Sequence, residues 1–369
     1  MMLILLAGWA ILFIYLFIIL LLWIGWLRLP TEEEKDNSCN ISVSIIIAAR
    51  NEDVTIPDLL KDLKSQSYPR SLFEIIIIDD HSENKISQLQ AVNELNMENL
   101  KIIELPQDKN GKKEALIYGA RKSNSELILF TDADCRVGEN WIKSFVTKYH
   151  KQKPSVIIGL VDYLSEDALL QNYYRLDFLS LIVSGAGAAG LGKPVLCNGA
   201  NLALKRNLYL NLQDKLMKQH RSGDDVFILH AVKATKKEKI ELLKSRDAVV
   251  YTHPPHNIAE FNTQRMRWAS KAPLYYDFDT VFLGSLVLLT CAFLLLSIVY
   301  SVLNENFFYC ISLFAIKTTA DCFIITAGLR FFGKLKQILF LPLFQLIYPM
   351  YVLGIFFFGL FVRISWKGR

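Results

Sequence analysis

The sequence is poor in the residues that build zinc modules and disulfide frameworks. It has 6 cysteines in 369 residues, with no Cys-x-x-Cys pair and no histidines at a matching spacing. This excludes a zinc finger and a disulfide-stapled secreted domain, and it favours a reducing compartment. A stripe of basic and aromatic residues is also missing, because lysine and arginine lie among acidic residues. We therefore expect no nucleic-acid partner.

Hydrophobic residues are abundant, and they collect at the two ends of the chain. The sequence is 52% hydrophobic and 21% charged, with a net charge of +5. These values are typical of a charged domain with membrane spans attached. Residues 3–27 carry no charge and are long enough to cross a bilayer. No basic residue precedes them and no small-residue cleavage site follows, so we predict an uncleaved anchor over 1–28, with Arg28 on the cytoplasmic side.

The C-terminal region, 273–369, is predicted to hold two to three spans. Its three hydrophobic stretches are 280–303, 307–327 and 338–362. Pro342 and Pro349 interrupt the third stretch, which leaves open whether it crosses the bilayer or re-enters it. Basic residues between the second and third stretches predict a cytoplasmic loop. We therefore expect an integral membrane protein with a cytoplasmic catalytic domain, in the plasma or inner membrane if the source is bacterial.

After a polar linker over 29–41, short apolar runs alternate with helical segments. The runs that we predict to be strands are 43–48, 73–78, 100–104 and 127–130. This alternation predicts an α/β fold with a mostly parallel sheet and flanking helices. Polar side chains follow three of the strand ends: Asn51 and Glu52, Asp79 and Asp80, Asp132 and Asp134. The carboxyl ends of parallel strands meet at one crevice, so we expect these side chains to be neighbours.

Asp132 and Asp134 are separated by one residue and directly follow a buried-type strand. Two carboxylates with this spacing suit Mg²⁺ or Mn²⁺, whose remaining ligands are substrate phosphates and water. The alternative is a capped turn, in which aspartate is also common. The carboxylates expected at the neighbouring strand ends favour the metal site.

Nucleotide-sugar chemistry accounts for the other polar positions. Carboxylates at the first two strand ends can accept hydrogen bonds from a base or a ribose. Lys112, near a predicted helix start, offers a cation to a diphosphate or to a neighbouring carboxylate. The alternative is ordinary solvated loop charge, which any α/β protein has.

Two later stretches fit a sugar transfer. Asp224 and Asp225 head a predicted helix, where they act either as caps or as the base that deprotonates an acceptor hydroxyl. A helix over 258–271 carries an amide, two guanidinium groups and an indole: Gln264, Arg265, Arg267 and Trp268. These groups suit a pyrophosphate and a sugar ring. The alternative is a basic helix next to the membrane that binds anionic lipid headgroups.

Two further segments are ambiguous in the sequence. Residues 185–190 match Gly-x-Gly-x-x-Gly, but Pro194 follows too soon for the helix of a dinucleotide fingerprint. We expect a flexible small-residue loop over the active site there. Residues 169–182 are amphipathic and lie either at the membrane interface or against the soluble core. Lys317 and Asp321 are one helical turn apart and are predicted to pair.

In this order, the motifs resemble those of the membrane-associated family-two glycosyltransferases, which include cellulose and poly-N-acetylglucosamine synthases and ceramide glucosyltransferases. The resemblance covers about 42–272 and rests on six matches: residues 43–52, with Ala49, Asn51 and Glu52, to the nucleotide loop; Asp79-Asp80 to the uridine-binding carboxylates; Gly111-Lys112 to the donor-site lysine helix; Asp132-Ala133-Asp134 to the metal motif; Gly223-Asp224-Asp225 to the acidic base motif; and Gln264-Arg265-Met266-Arg267-Trp268 to the Gln-(Gln/Arg)-x-Arg-Trp motif.

The resemblance implies a GT-A fold over 42–272, a UDP-sugar donor, Mg²⁺ or Mn²⁺ as cofactor, and an inverting reaction with Asp225 as base. It also implies a lipid-linked or glycan acceptor. Two alternatives stay open: a processive polysaccharide synthase, and a catalytically inactive nucleotide-sugar-binding assembly subunit. The base motif reads Asp-Asp where Glu-Asp is commoner, which keeps the charge. The membrane region is small for a polymer-exporting synthase, and this favours transfer of a single sugar.

Overall fold

A computed structural model describes residues 2–32, 40–164, 169–212 and 224–361. These residues form two compact units. The helical unit contains residues 2–29, 169–196 and 254–361, and the sheet unit contains most of the remainder. The sequence predicted one continuous catalytic domain over 42–272, whereas 169–196 and 254–272 group with the hydrophobic helices.

The sheet unit is built on a sheet of seven strands among the described residues. In chain order the strands of this unit are β1 (Val43–Ala49), β2 (Phe73–Asp79), β3 (Leu100–Glu104), β4 (Leu127–Phe130), β5 (Arg136–Val137), β6 (Val156–Gly159), β7 (Val161–Tyr163), β8 (Leu202–Lys205), β9 (Ile240–Leu243) and β10 (Val250–Thr252). The large sheet has the order β3-β2-β1-β4-β8-β6-β9, and β5, β10 and β7 form a small second sheet.

The large sheet is mostly parallel, as predicted. β1 pairs in parallel with both β2 and β4, and β8 is antiparallel to β4 and β6. Every residue of β1 is buried, which explains the continuous apolar run, because a parallel strand is covered on both faces. The chain moves from β1 to β2 and β3 on one side and places β4 on the other. The strand order therefore reverses between β1 and β4, where an open α/β sheet forms its ligand crevice.

The described helices alternate with the strands in the sheet unit and are long in the helical unit. They are α1 (Met2–Arg28), α2 (Ile56–Lys64), α3 (Gln90–Asn93), α4 (Lys112–Lys122), α5 (Trp141–Gln152), α6 (Leu169–Gly190), α7 (Arg206–Leu212), α8 (Asp224–Thr235), α9 (Ile258–Ala269), α10 (Phe278–Leu303), α11 (Phe307–Phe331) and α12 (Leu341–Gly359). The helix predicted near 86–95 is a 3₁₀ turn followed by the single-turn α3, because Leu89 between them has an extended backbone.

Four helical segments of the helical unit are long and apolar enough to cross a membrane. They are Leu6–Arg28, Phe278–Leu303, Phe307–Phe331 and Leu335–Gly359. Pro342 lies in the first turn of α12, where a backbone N–H has no helical acceptor, so this proline begins the helix instead of breaking it.

The segment 185–190 is the end of α6, and the prediction of a flexible loop was wrong. Two of its three glycines lie against the backbone of α1: a Cβ on Gly187 would be 2.2 Å from the Leu22 carbonyl oxygen, and a Cβ on Gly190 would be 2.1 Å from the Gly25 carbonyl oxygen. Small residues permit two helix backbones to approach this closely. The amphipathic stretch therefore continues into a helix that packs on α1 within the helical unit.

A buried polar network joins α1, α11 and α12. Lys317 Nζ donates to Asp321 Oδ2 at 2.6 Å, which confirms the predicted pair, and it also donates to Gln345 Oε1 at 2.6 Å. The Tyr15 hydroxyl donates to Asp321 Oδ1 at 2.6 Å. Both charges thus have partners where water is excluded, as an apolar surrounding requires.

Candidate active site

The crevice between β1 and β4 gathers the polar residues that follow the strands. The Asp80 backbone N–H donates to the Ala49 carbonyl at 2.8 Å, so the ends of β1 and β2 remain bonded past the last paired residues. Ala49 itself is buried. Among the predicted donor-binding residues it contributes backbone atoms at the floor of the crevice.

Asp79 and Asp80 are adjacent in sequence but have different environments. Both oxygens of Asp79 accept backbone N–H groups, from Ser82 at 2.9 Å and from Ile86 at 3.0 Å. Its charge is therefore used to shape the loop after β2. Asp80 Oδ2 accepts the Gly111 N–H at 2.9 Å, while its buried Oδ1 has no hydrogen-bond partner among the described residues. Of the two carboxylates, Asp80 has capacity left for a ligand.

Asn51 and Glu52 connect the loops around the crevice. Asn51 adopts a left-handed backbone with φ of 52°, and its Oδ1 accepts the Glu83 N–H at 2.9 Å. Glu52 Oε2 accepts the Thr55 hydroxyl at 2.7 Å at the start of α2. These bonds hold the loop after β1 against the loop after β2, so the crevice rim is ordered by its own side chains.

Lys112 is the first residue of α4, and it reaches the carboxylate at the end of β4. It follows Gly111, whose φ of 92° only glycine adopts readily. Lys112 Nζ donates to Asp132 Oδ1. Burial lowers the pKa of Lys112. The negative charges of Asp132, Asp225 and Asp134 outweigh this effect, so the pKa is raised. The ammonium therefore stays charged in the crevice.

Asp134 lies near two other carboxylates. The pKa of Asp134 is raised, first by burial and then by the negative charges of Asp132 and Glu52. Carboxylates that repel one another in a partly buried place are a fitting donor set for a divalent cation, which removes the repulsion. The described residues contain no group of three acidic, histidine or cysteine ligands. Asp132 and Asp134 would therefore share a Mg²⁺ or Mn²⁺ with diphosphate oxygens and water, as Mg²⁺ sites commonly do.

Asp225 comes from a distant part of the chain to the same crevice. It lies in the first turn of α8; its Oδ2 accepts the Gly199 N–H at 2.9 Å and its Oδ1 accepts the Val226 N–H at 2.8 Å. Its charge acts on Lys112, which also contacts Asp132. Asp224 begins α8, but its side chain lies outside the described residues, as does Gly223.

The predicted motif Gln264–Trp268 lies on α9 in the helical unit. Arg265 is buried and its Nε donates to Asp177 Oδ2 at 2.6 Å, while its Nη1 donates to Gln264 Oε1 at 2.7 Å. Its guanidinium carbon lies 4.3 Å from the centre of the Trp268 ring. These contacts give Arg265 a role in packing α9 against α6. Arg267 on the same helix is half-buried.

Asp177 was not singled out in the sequence. It lies in the middle of the amphipathic segment 169–182, where a carboxylate among apolar residues is unusual. A buried charge requires a partner, so the sequence could have predicted that Asp177 forms an ion pair. It could not have predicted the partner, because Arg265 is 88 residues away in the chain.

The comparisons with known proteins agree with this geometry. Residues 44–206 match the family model described as Glycosyl transferase family 2. The match covers less than half of the chain, and these residues are similar to a family-two glycosyltransferase domain. The match includes the predicted nucleotide loop, Asp79 and Asp80, Lys112, and the Asp132–Asp134 pair.

Curated relatives of this chain are named for different glycosylation reactions. The chain is 24% identical to 4,4'-diaponeurosporenoate glycosyltransferase of Staphylococcus haemolyticus over 197 residues. The aligned residues cover 52% of this chain and 50% of that protein. It is 31% identical over 116 residues to beta-monoglucosyldiacylglycerol synthase of Nostoc, covering 31% of this chain and 25% of that protein. The chain thus matches half or less of the length of these relatives.

A solved structure supports the fold. The mannosyltransferase PcManGT from Pyrobaculum calidifontis, in complex with GDP-Man and Mn²⁺, aligns with 90% of this chain and 97% of its own, with a TM-score of 0.57 and 17% sequence identity. This likeness shows a shared GT-A fold. The predicted fold class is confirmed, while the roles of individual site residues stay predictions.

Proposed function

We propose that this protein is a membrane-bound inverting glycosyltransferase that moves one sugar from a UDP-sugar to a lipid or lipid-linked acceptor. One observation carries the proposal. Lys112 at the start of α4 donates to Asp132 at the end of β4, and the negative charges of Asp134 and of Asp225, at the start of α8, also raise the pKa of Lys112. A cation among carboxylates at the switch point of an α/β sheet fits a site for an anionic nucleotide.

The donor lies over the strand ends in this proposal. Asp80, whose Oδ1 has no hydrogen bond among the described residues, is proposed to accept one from the base or ribose, and Lys112 is proposed to pair with the diphosphate. Asp79 supports the loop around them. Asp132 and Asp134 would hold a divalent metal, which would supply positive charge against the leaving diphosphate. The assignment of Arg267 and Trp268 on α9 to a sugar or a diphosphate stays a prediction from the sequence.

Asp225 is the proposed base. It removes the proton from the acceptor hydroxyl as that oxygen bonds to the anomeric carbon and the bond to the nucleotide diphosphate breaks. The two backbone N–H groups that Asp225 accepts hold its carboxylate in place for this transfer. A single displacement inverts the configuration of the sugar. Asp224 is proposed to add negative charge beside it.

A lipid acceptor is supported by the membrane part of the chain. The four candidate spans would keep the protein at a bilayer, with the catalytic domain on the cytoplasmic side as the basic loop around Arg330 to Lys336 predicts. By their names, one relative glycosylates 4,4'-diaponeurosporenoate and the other synthesises beta-monoglucosyldiacylglycerol. These compounds are consistent with an acceptor that carries a hydrocarbon chain.

The proposal is tested by nucleotide release from purified full-length protein. UDP-glucose, UDP-N-acetylglucosamine, UDP-galactose and GDP-mannose are each supplied with Mn²⁺ or Mg²⁺ and an extract of membrane lipids. We expect acceptor-dependent UDP release with one UDP-sugar and a drop of at least about 10³-fold in Asp225→Asn. The control is Asp58→Asn, an exposed carboxylate on α2, which should match the wild type. GDP release from GDP-mannose alone would contradict the UDP assignment.

The extracted product separates the alternatives. One added sugar supports single transfer, and a ladder of products supports a processive synthase. Metal-dependent binding of the donor without turnover on any acceptor would favour a nucleotide-sugar-binding assembly subunit instead of an enzyme.

A further inference from the structure

The helical unit contains an apolar cavity that the proposed reaction does not yet use. It has a volume of about 440 Å³ and lies between α6, α9 and α12. This volume is within the range of small-molecule sites, roughly 300–1,000 Å³. Leu170, Phe261 and Phe344 are among the aliphatic and aromatic side chains that line it. Walls of this kind fit hydrocarbon and do not fit a nucleotide or a free sugar.

Two tyrosines contribute apolar ring surface to this wall. Tyr173 and Tyr174 both line the cavity, while their hydroxyls are buried in the protein away from it and have no hydrogen-bond partner among the described residues. The exposed wall of the cavity is therefore almost entirely apolar. Such a wall fits a hydrocarbon chain.

One side of the cavity belongs to a candidate membrane span. Leu343 and Ile347 on α12 line it and are 50% and 45% exposed, within the span Leu335–Gly359. On the other walls Leu169 and Ile258 are also largely exposed. The rim is thus apolar, and a chain that lies in a bilayer can enter without crossing polar surface.

The cavity shares a wall with the helix that carries the predicted sugar-binding motif. Phe261 on α9 stacks on Tyr174 with ring centres 4.3 Å apart, and the Arg265 guanidinium carbon is 4.8 Å from the Phe261 ring. The Arg265–Asp177 ion pair ties α9 to α6 one turn further along. The walls are therefore held in place by contacts that need no ligand.

We propose that this cavity binds the hydrocarbon chain of the acceptor lipid. The inference rests on the proposed function in naming the occupant as the acceptor. Acyl and isoprenoid chains share the required chemistry, and the experiment separates them.

The test is photolabelling of the full-length protein in nanodiscs of phosphatidylcholine. The probe is a diacylglycerol with a diazirine in one acyl chain, and labelled peptides are located by mass spectrometry. We expect labels within 169–176, 258–262 and 340–351, displaced by an excess of either dipalmitoylglycerol or a polyprenyl phosphate, whichever class is glycosylated. Ile347→Trp fills the cavity and should reduce labelling, and raise the KM for the acceptor, by about tenfold.

A neighbouring residue provides the matched control. Leu346 lies on the same helix, is 62% exposed and does not line the cavity, so Leu346→Trp should behave as the wild type. Tyr174→Phe keeps the ring that lines the cavity and removes only a hydroxyl that does not face it, so it is a second control and should leave the KM for the acceptor unchanged. Donor binding, measured by thermal shift with UDP-sugar and Mn²⁺, should be unchanged in all three variants.

The outcomes distinguish the two proposals. Labels confined to the outer faces of α10 and α11, or labelling that Ile347→Trp leaves unchanged, overturn the cavity site whatever the activity. Labelling that neither lipid displaces identifies a structural bilayer lipid and overturns the acceptor role. Displaceable labelling in a protein that transfers no sugar overturns the proposed function alone, because labelling requires no turnover.

Discussion

The helical unit and the crevice of the sheet unit differ in how their buried charges are paired. In the helical unit Lys317 and Asp321 hydrogen-bond to each other and to neighbouring side chains, and Arg265 pairs with Asp177. In the crevice of the sheet unit carboxylates crowd together, so the pKa of Asp134 is raised. A charge paired with an opposite charge indicates a structural role, and crowded like charges indicate a place for a ligand.

The largest effect that would sharpen this comparison is expected at the crevice. Asp132→Asn should lower kcat/KM by roughly 10³-fold, about 4 kcal/mol, because it removes a metal ligand and the partner of Lys112. We expect Mn²⁺ and UDP to raise the melting temperature of the wild type, and we expect no such rise in Asp132→Asn. Steady-state kinetics and a thermal-shift titration measure the two effects. An unchanged Mn²⁺ response would contradict the assignment of Asp132 as a ligand.

In the helical unit the expected effect is on stability. Lys317→Met leaves the Asp321 charge buried without its cation and should destabilise the unit by about 3 kcal/mol or more. The double variant Lys317→Met/Asp321→Leu should recover most of that loss, because no charge stays buried. Melting temperatures in detergent measure both variants. If the single variant folds normally but transfers no sugar, the Lys317–Asp321 pair acts in the reaction, and its assignment as a structural pair is wrong.

The crossing of α1 and α6 predicts a smaller effect. Gly187→Ala places a methyl group against the Leu22 carbonyl oxygen and should cost about 1–3 kcal/mol, because two helix backbones must separate. Gly284 on α10 is the control, since a Cβ there meets nothing within 4 Å. Gly284→Ala should be neutral or stabilising by up to about 1 kcal/mol. Equal melting temperatures for the two variants would show that the close crossing is absent.

The smallest effect concerns an exposed edge of the sheet unit. Burial raises the pKa of Glu74, but hydrogen bonds from Lys101 and Ser44 outweigh it and the pKa is lowered. The contribution of Glu74 to stability is therefore present above its ordinary pKa and is lost as the pH falls through the lowered value. It should be under about 1 kcal/mol, because Lys101 is largely exposed. The unfolding free energies of wild type and Glu74→Gln should differ at pH 7 and converge as the pH falls below the lowered pKa of Glu74.

Local patterns in the sequence were sufficient for much of the fold. The apolar runs at β1, β2, β3 and β4 and the hydrophobic spans were predicted, because each is set by a continuous stretch of side chains. The short elements β5, β7 and β9 were not predicted. Each of these short strands includes a charged residue, so none has the continuous apolar run that identified β4. They form because neighbouring strands offer them a paired edge.

The sequence by itself determined which side chains stand at the strand ends, since that follows from where each apolar run stops. It could not separate Asp79 from Asp80, nor show that Arg265 is buried against Asp177. Both distinctions depend on which hydrogen-bond groups are already used, and the groups that use them come from other loops and helices. Only the tertiary structure decided this, because hydrogen bonding and burial are completed by residues far apart in the chain.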